Sequence, residues 1–146
     1  MNITFFVAGI PQPGGSKKAF VIPGTRRASV VDDNDKVMPW RNSVQVAAMA
    51  AYKGPLLTRA LDLQVTFFMP RPKGHFGVGK RDGMLKPSAP AHHTKKPDRT
   101  KLLRSIEDAL SGVIWVDDTQ VVSGMIWKVY CDNGQVPGAK VTITEH

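Results

Sequence analysis

The chain predicts a small α/β (α+β) domain with a mixed β-sheet and two main helices. Three observations carry this. Trp40, Val44, Ala47, Ala48 and Ala51 recur at three- and four-residue steps, and Leu102, Ile106, Ala109 and Leu110 do the same. Between them, Leu61, Leu63, Val65, Phe67 and Met69 alternate as one face of a strand. A length of 146 residues suits one domain, residues 1–146, with a core that needs no staples.

Ile3–Val7 is β-rich and ends at Gly9, so it is read as a strand. Pro11, Pro13, Gly14 and Gly15 then break the chain. Ala19–Ile22 and Ala28–Val31 flank Pro23-Gly24-Thr25-Arg26-Arg27, which suggests a hairpin. A helix is expected from Pro39, stopped by Lys53-Gly54-Pro55. The strand over 61–69 ends at Pro70. Residues 70–97 hold five prolines and four glycines and read as a long irregular loop; such a connection is usually functional or disordered, and its basic charge favours function. A second helix is expected from Asp98 to about Ser111, stopped by Gly112. Val121–Cys131 reads as a strand, Asp132-Asn133-Gly134 as a turn and Val141–Ile143 as a closing strand.

Cys131 is the only cysteine, so an intrachain disulfide framework and a cysteine zinc site are excluded. No apolar run is long enough to span a bilayer, and the N-terminus lacks the features of a secretory signal. A cytoplasmic protein without membrane contact is expected. Charge is more informative. Twenty Lys and Arg against twelve Asp and Glu give a net charge of +8. Residues 71–104 hold ten basic side chains and two acidic ones, so they carry the whole excess. A localised basic stretch is the footprint of a polyanion such as nucleic acid. Lys73, Lys80, Arg81, Lys95, Lys96, Arg99 and Lys101 are the candidate DNA contacts; Lys17, Lys18, Arg26 and Arg27 form a second basic group whose place stays open.

The chemistry concentrates in residues 96–122. On a wheel of about 100° per residue, Leu102, Leu103, Ile106, Ala109 and Leu110 form an apolar face, with Thr100, Lys101, Arg104, Ser105 and Asp108 opposite. Asp98 heads the helix, and Asp117-Asp118 follows one short connection beyond it. Carboxylates gathered from a helix start and a strand start suit Mg²⁺, which binds through one or two carboxylates and keeps its waters. Arg104 would steady phosphate charge. Each residue alone has a plainer reading: Asp98 as a helix cap, Asp117-Asp118 as a turn, and Arg104 with Asp108 as an i,i+4 pair. His92 and His93 read as a solvated loop, and Trp115 and Trp127 as core. Phe76 is a weaker candidate for stacking on a base.

Together these residues resemble the RusA family of Holliday junction resolvases. The shared pattern is Lys96, Pro97, Asp98, Leu102, Asp108, Ala109, Leu110 and Gly112, then Asp117, Asp118, Gln120, Val121 and Val122. The Pro-rich segment from Gly9 to Ser16 is also similar to the family's start. The resemblance implies a small homodimer that binds branched DNA, the four-way junction, and nicks it symmetrically with Mg²⁺, or Mn²⁺ as a substitute. It makes Asp98, Asp118 and Arg104 catalytic, with Asp98, Asp117 and Asp118 as metal ligands. It places the protein in a bacterial cell, encoded by the host or by a phage or prophage.

Three positions depart from the pattern. Arg104 stands where the family has lysine, exchanging a point donor for a planar fork. Thr100 replaces the second acid and Lys101 the following Asn. Glu107 and Asp108 lie roughly 11–12 Å further along the helix axis than residue 100, so Asp117 is expected to supply the missing carboxylate. Thr100, Lys101 and Asp108 are therefore supporting candidates in a rearranged site. The alternative is a branched-DNA-binding protein of this fold that has lost catalysis, which Thr100 and Lys101 motivate. Nothing in the residues separates DNA from RNA.

Overall fold

Strands β1 (Asn2–Ala8), β4 (Leu61–Met69), β5 (Val121–Ser123), β6 (Ile126–Tyr130) and β7 (Gly138–Glu145) form one mixed five-stranded sheet. This is a computed structural model that describes residues 1–15, 17–32 and 34–146, with the backbone alone for 17–20 and 29–32. Helices α1 (Val37–Ala51) and α2 (Arg99–Leu110) pack on the sheet's buried face, and a small hairpin, β2 (Lys17–Val21) and β3 (Ala28–Asp32), stands apart from it. The expected α+β architecture is the observed one. Ser16 and the side chains of Lys17 and Lys18 lie outside the described residues.

The closing strand does not close an edge. β7 runs between β1 and β4, antiparallel to both, with Ile143 opposite Ile3 on one side and Leu63 on the other. β5 and β6 both pair parallel to β4, one after the other along its far edge. The single strand expected over Val121–Cys131 is thus two pieces. They break at Gly124, which has φ +141°, and a Cβ there would stand 1.7 Å from the Leu63 carbonyl oxygen. Only glycine lets the edge strand cross so close to β4.

The core is the alternate face of the sheet filled by two helical stripes. Leu61, Leu63, Val65, Phe67, Val141 and Ile143 meet Trp40, Val44 and Ala48 of α1 and Leu102, Ile106 and Leu110 of α2. Each such side chain contributes about 1.5–3 kcal/mol by leaving water. Pro39 fits in the first turn of α1, where backbone N–H groups have no helical partner. The two helices are tied by Arg41 to Asp108 at 2.9 Å and by Gln45 Nε2 donating to the Ala109 carbonyl at 3.1 Å. Asp108 therefore pairs across to α1, where an i,i+4 pair with Arg104 was expected.

Ser105 and Trp127 correct the expected pattern of burial. Ser105, placed on the polar face by the wheel, is fully buried. The Pro-rich segment after β1 crosses α2 there: Gly14 N–H donates to the Lys101 carbonyl at 2.9 Å, and a Cβ on Gly14 would come within 3.3 Å of the Ser105 backbone. Trp127, expected in the core, is 55% exposed because it lies on the outer edge strand β6. Trp115 is buried as expected.

Candidate metal and nucleic-acid site

Helix α2 positions one flank of the site. Thr100, Arg104, Glu107 and Asp108 fall at steps of four, seven and eight residues, so they share one flank of the helix. Gly112, with φ +80°, then turns the chain, and its N–H donates to the Trp115 carbonyl at 2.7 Å. This return places Asp118 beside the same flank. A cleft of about 300 Å³ is lined by Thr100, Leu103, Arg104, Glu107, Asp108 and Asp118.

The Asp117-Asp118-Thr119-Gln120 run divides its labour. Asp117 caps the short 3-10 turn at Asp118–Gln120, its Oδ1 accepting from Thr119 N–H at 2.9 Å. Gln120 Oε1 accepts from the N–H groups of Val116 and Asp117, while its Nε2 donates to the Leu57 and Arg59 carbonyls at 2.9 Å each. That side chain fastens the turn to the strand-leading segment before β4. Asp118 Oδ1 accepts from the buried Trp115 Nε1–H at 3.0 Å. One aspartate builds the turn, and the other is aimed into the cleft.

Electrostatics agree with the geometry. Burial first, and then the neighbouring Asp118 and Asp108 carboxylates, push the Glu107 carboxyl above its ordinary value, against the pull of Arg104. Carboxylates crowded around a third acid also attract a cation. Among the described residues no group of three His, Cys, Asp or Glu side chains gathers to hold a metal. Two carboxylates, with water completing the sphere, still fit Mg²⁺, whose preference is for few protein ligands. Glu107 and Asp118 would hold it, with Thr100 two turns back along the same cleft. Glu107 is the residue sequence reasoning passed over in favour of Asp117. What brings Glu107 to Asp118 is the return of the chain at Gly112, which helix spacing does not encode.

Asp98 lies apart from this lining. It is the residue before α2, exposed, and its side chain makes no capping hydrogen bond. Its neighbour is Lys128 on β6, whose Nζ donates to the Lys95 and Pro97 carbonyls at 2.9 Å each. Burial lowers the Lys128 pKa, and the charge of Asp98 opposes that shift. Asp98 thus stands roughly 13–14 Å along the helix axis from Glu107. The plain cap reading is not what the structure contains.

Arg104 is exposed and flanked by Gly15, where a Cβ would come 3.2 Å from the arginine Cδ. Lys95, Lys96, Arg99 and Lys101 cluster around the start of α2, and Lys73, Lys80 and Arg81 lie on two 3-10 turns, Lys73–His75 and Gly79–Arg81; all are exposed. Arg26 and Arg27 are exposed on the small hairpin. His92 is exposed, as a solvated loop requires, but His93 is half-buried with its ring 5.0 Å from that of Tyr130. Burial and the nearby Lys128 lower the His93 pKa.

A carboxylate pair and an arginine thus line one cleft, bordered by exposed cations. Residues 13–144 match the family Endodeoxyribonuclease RusA, and the chain belongs to it. It is also 28% identical over 141 residues to a Bacillus subtilis (strain 168) protein described as "Uncharacterized protein YqaN", with 92% of each chain covered. No helix among the described residues is long and apolar enough to cross a membrane.

Proposed function

We propose that this chain is a Mg²⁺-dependent endodeoxyribonuclease that resolves four-way (Holliday) DNA junctions, acting as a homodimer, with Mn²⁺ able to replace Mg²⁺. The observation that carries the reading is the cleft in which Asp118 and Glu107 face Thr100 and Arg104. Family membership supports the nuclease chemistry, and the exposed cations support a polyanionic substrate.

Asp118 and Glu107 hold the ion in this reading, Glu107 taking the place first given to Asp117. An Mg²⁺ ion held by these two carboxylates would supply charge neutralisation at a phosphate and a more acidic water. Trp115 fixes the Asp118 carboxylate through the 3.0 Å hydrogen bond, so the ligand is oriented before the ion arrives. Arg104 offers its guanidinium fork to the phosphate oxygens as charge builds. Asp98, roughly 13–14 Å along the helix axis from Glu107, stands outside the reach of that ion. Lys95, Lys96, Arg99 and Lys101 seat the adjoining backbone without reading sequence. A twofold dimer matches a pseudo-twofold junction and gives paired nicks.

The test is a labelled synthetic junction beside a matched linear duplex. Paired nicks in the junction alone, lost with EDTA and in Asp118→Asn and Glu107→Gln, are expected. Junction cleavage that survives Asp118→Asn would overturn the assignment. Thr100, a neutral group in the family's acidic position, favours a second reading: a branched-DNA-binding protein that does not cut. Tight binding without nicks in Mg²⁺ or Mn²⁺, with cleavage gained in Thr100→Asp, would establish that one instead.

A further inference from the structure

Within the basic loop, residues 75–86 close into a small hairpin. Phe76 and Leu85 are paired antiparallel, Gly77 N–H donates to the Met84 carbonyl at 2.9 Å, and Lys86 N–H donates to the His75 carbonyl at 2.9 Å. Gly77 is required there, since a Cβ would stand 2.6 Å from the Arg81 Cβ and 2.7 Å from its carbonyl oxygen.

The base of this hairpin is fixed to the sheet. The Arg71 side chain is only 2% exposed. Its guanidinium donates to both carboxylate oxygens of Asp132 at 2.7 and 3.1 Å and to the Pro90 carbonyl at 2.7 Å. It also meets His75 Nδ1 at 3.2 Å and lies 4.2 Å from the centre of the Tyr130 ring. One buried cation thus joins both ends of the loop to the end of β6.

The tip carries an unusual combination. Val78 is 85% exposed, Met84 60% and Leu85 46%. Exposed Lys73, Lys80, Arg81 and Lys86 surround them. Beside the tip opens a cleft of about 390 Å³ whose lining includes Phe76 and Val78. Apolar side chains ringed by cations match a ligand that is polyanionic and apolar at once. Linear duplex DNA shows its phosphates and hides its base faces. Where strands part, both are open, and apolar side chains pack against exposed base steps.

We propose that this hairpin reads the branch point of the DNA. Val78, Met84 and Leu85 pack on base faces laid open where strands part, and Lys73, Lys80, Arg81 and Lys86 take the flanking phosphates. The inference rests on the branched-DNA reading above. An anionic membrane surface offers related chemistry, but the hairpin's anchor on β6 favours DNA. The same strand, through Lys128, holds the Lys95–Pro97 segment that leads into α2 and the candidate site.

The experiment uses the full-length protein with Ca²⁺ in place of Mg²⁺. The probes are a four-way junction with 2-aminopurine at its branch point, a linear duplex and phosphatidylserine vesicles. Wild type should bind the junction more tightly than the duplex and raise the fluorescence. Val78→Ser/Met84→Ser should lose about tenfold or more in junction affinity and the fluorescence rise, with duplex affinity unchanged. Lys80→Ala/Arg81→Ala should weaken both DNAs. Both apolar positions are exposed, so an unchanged melting temperature is expected; Val78→Ser alone serves if the double variant fails to fold. A wild-type junction preference that the serine variant retains overturns the proposal. So does vesicle binding that the variant abolishes while junction binding stays intact. A wild type that binds junction no better than duplex overturns the branched-DNA reading itself, and the hairpin's role with it.

Discussion

Trp115 Nε1 donates a 3.0 Å hydrogen bond to Asp118 Oδ1, so a fully buried indole orients the carboxylate that faces the α2 cleft. The bond joins the core to the candidate chemistry. Trp115→Phe keeps most of the buried area and removes only the donor. We expect it to fold, with Mn²⁺ affinity reduced about tenfold or more, as for other groups that orient a metal ligand. Titration followed by the electron paramagnetic resonance of free Mn²⁺ measures this. Unchanged affinity would show that Asp118 needs no such orientation.

Glu107 and Asp117 should separate cleanly. Glu107→Gln is expected to weaken Mn²⁺ binding about tenfold or more and to leave the turn intact. Asp117→Ala loses the cap on Thr119 N–H and should cost about 1 kcal/mol of stability, with metal affinity retained. Thermal unfolding and Mn²⁺ titration of both variants decide it. The opposite pattern would return the ligand role to Asp117.

The raised Glu107 pKa has a sign that can be checked. Its folded-state value lies above the unfolded one, so the group favours the folded state most below its unfolded pKa. That contribution is lost as pH rises through the folded value. Without metal, wild type should therefore lose stability relative to Glu107→Gln as pH rises from the ordinary carboxyl range. Metal binding competes with the same proton, so Mn²⁺ affinity should rise over that interval and flatten in Glu107→Gln. Urea unfolding across pH tests the first part, and calorimetry in two buffers tests the second.

Arg71 is expected to hold the loop and not the chemistry. Arg71→Ala opens both loop ends and leaves Asp132 to be hydrated by water, which should cost about 1–2 kcal/mol and lower Tm by about 5 °C. Limited proteolysis should then cut within residues 72–90 first. Asp132 has its pKa depressed by the hydrogen bond from Arg71, so its stabilising contribution is present above the unfolded carboxyl value. It is lost as pH falls through the folded value, and Asp132→Asn should flatten the acid limb of the unfolding curve.

Much of the frame was legible from periodicity. The alternation over 61–69 and the three- and four-residue steps of both helices named their buried faces, because each pattern is the geometry of one element with one face turned from water. Asp117-Asp118 was legible as acidic but not as two different jobs. Which of two adjacent carboxylates caps a turn depends on backbone angles that neighbours impose. Ser105 escaped the wheel because a separate segment, through Gly14, lies over it. Trp127 escaped because strand order put β6 at the edge.

Local spacing by itself determined the α+β class, the two helices, the basic stretch and the motif from Lys96 to Val122, since all of these follow from side chains a few residues apart. Only the tertiary structure decided that β7 runs between β1 and β4, that Glu107 shares a cleft with Asp118, and that Arg71 turns a long loop into an anchored hairpin. Those facts join residues far apart in the chain. They are fixed by the burial of one continuous core, which no local pattern encodes.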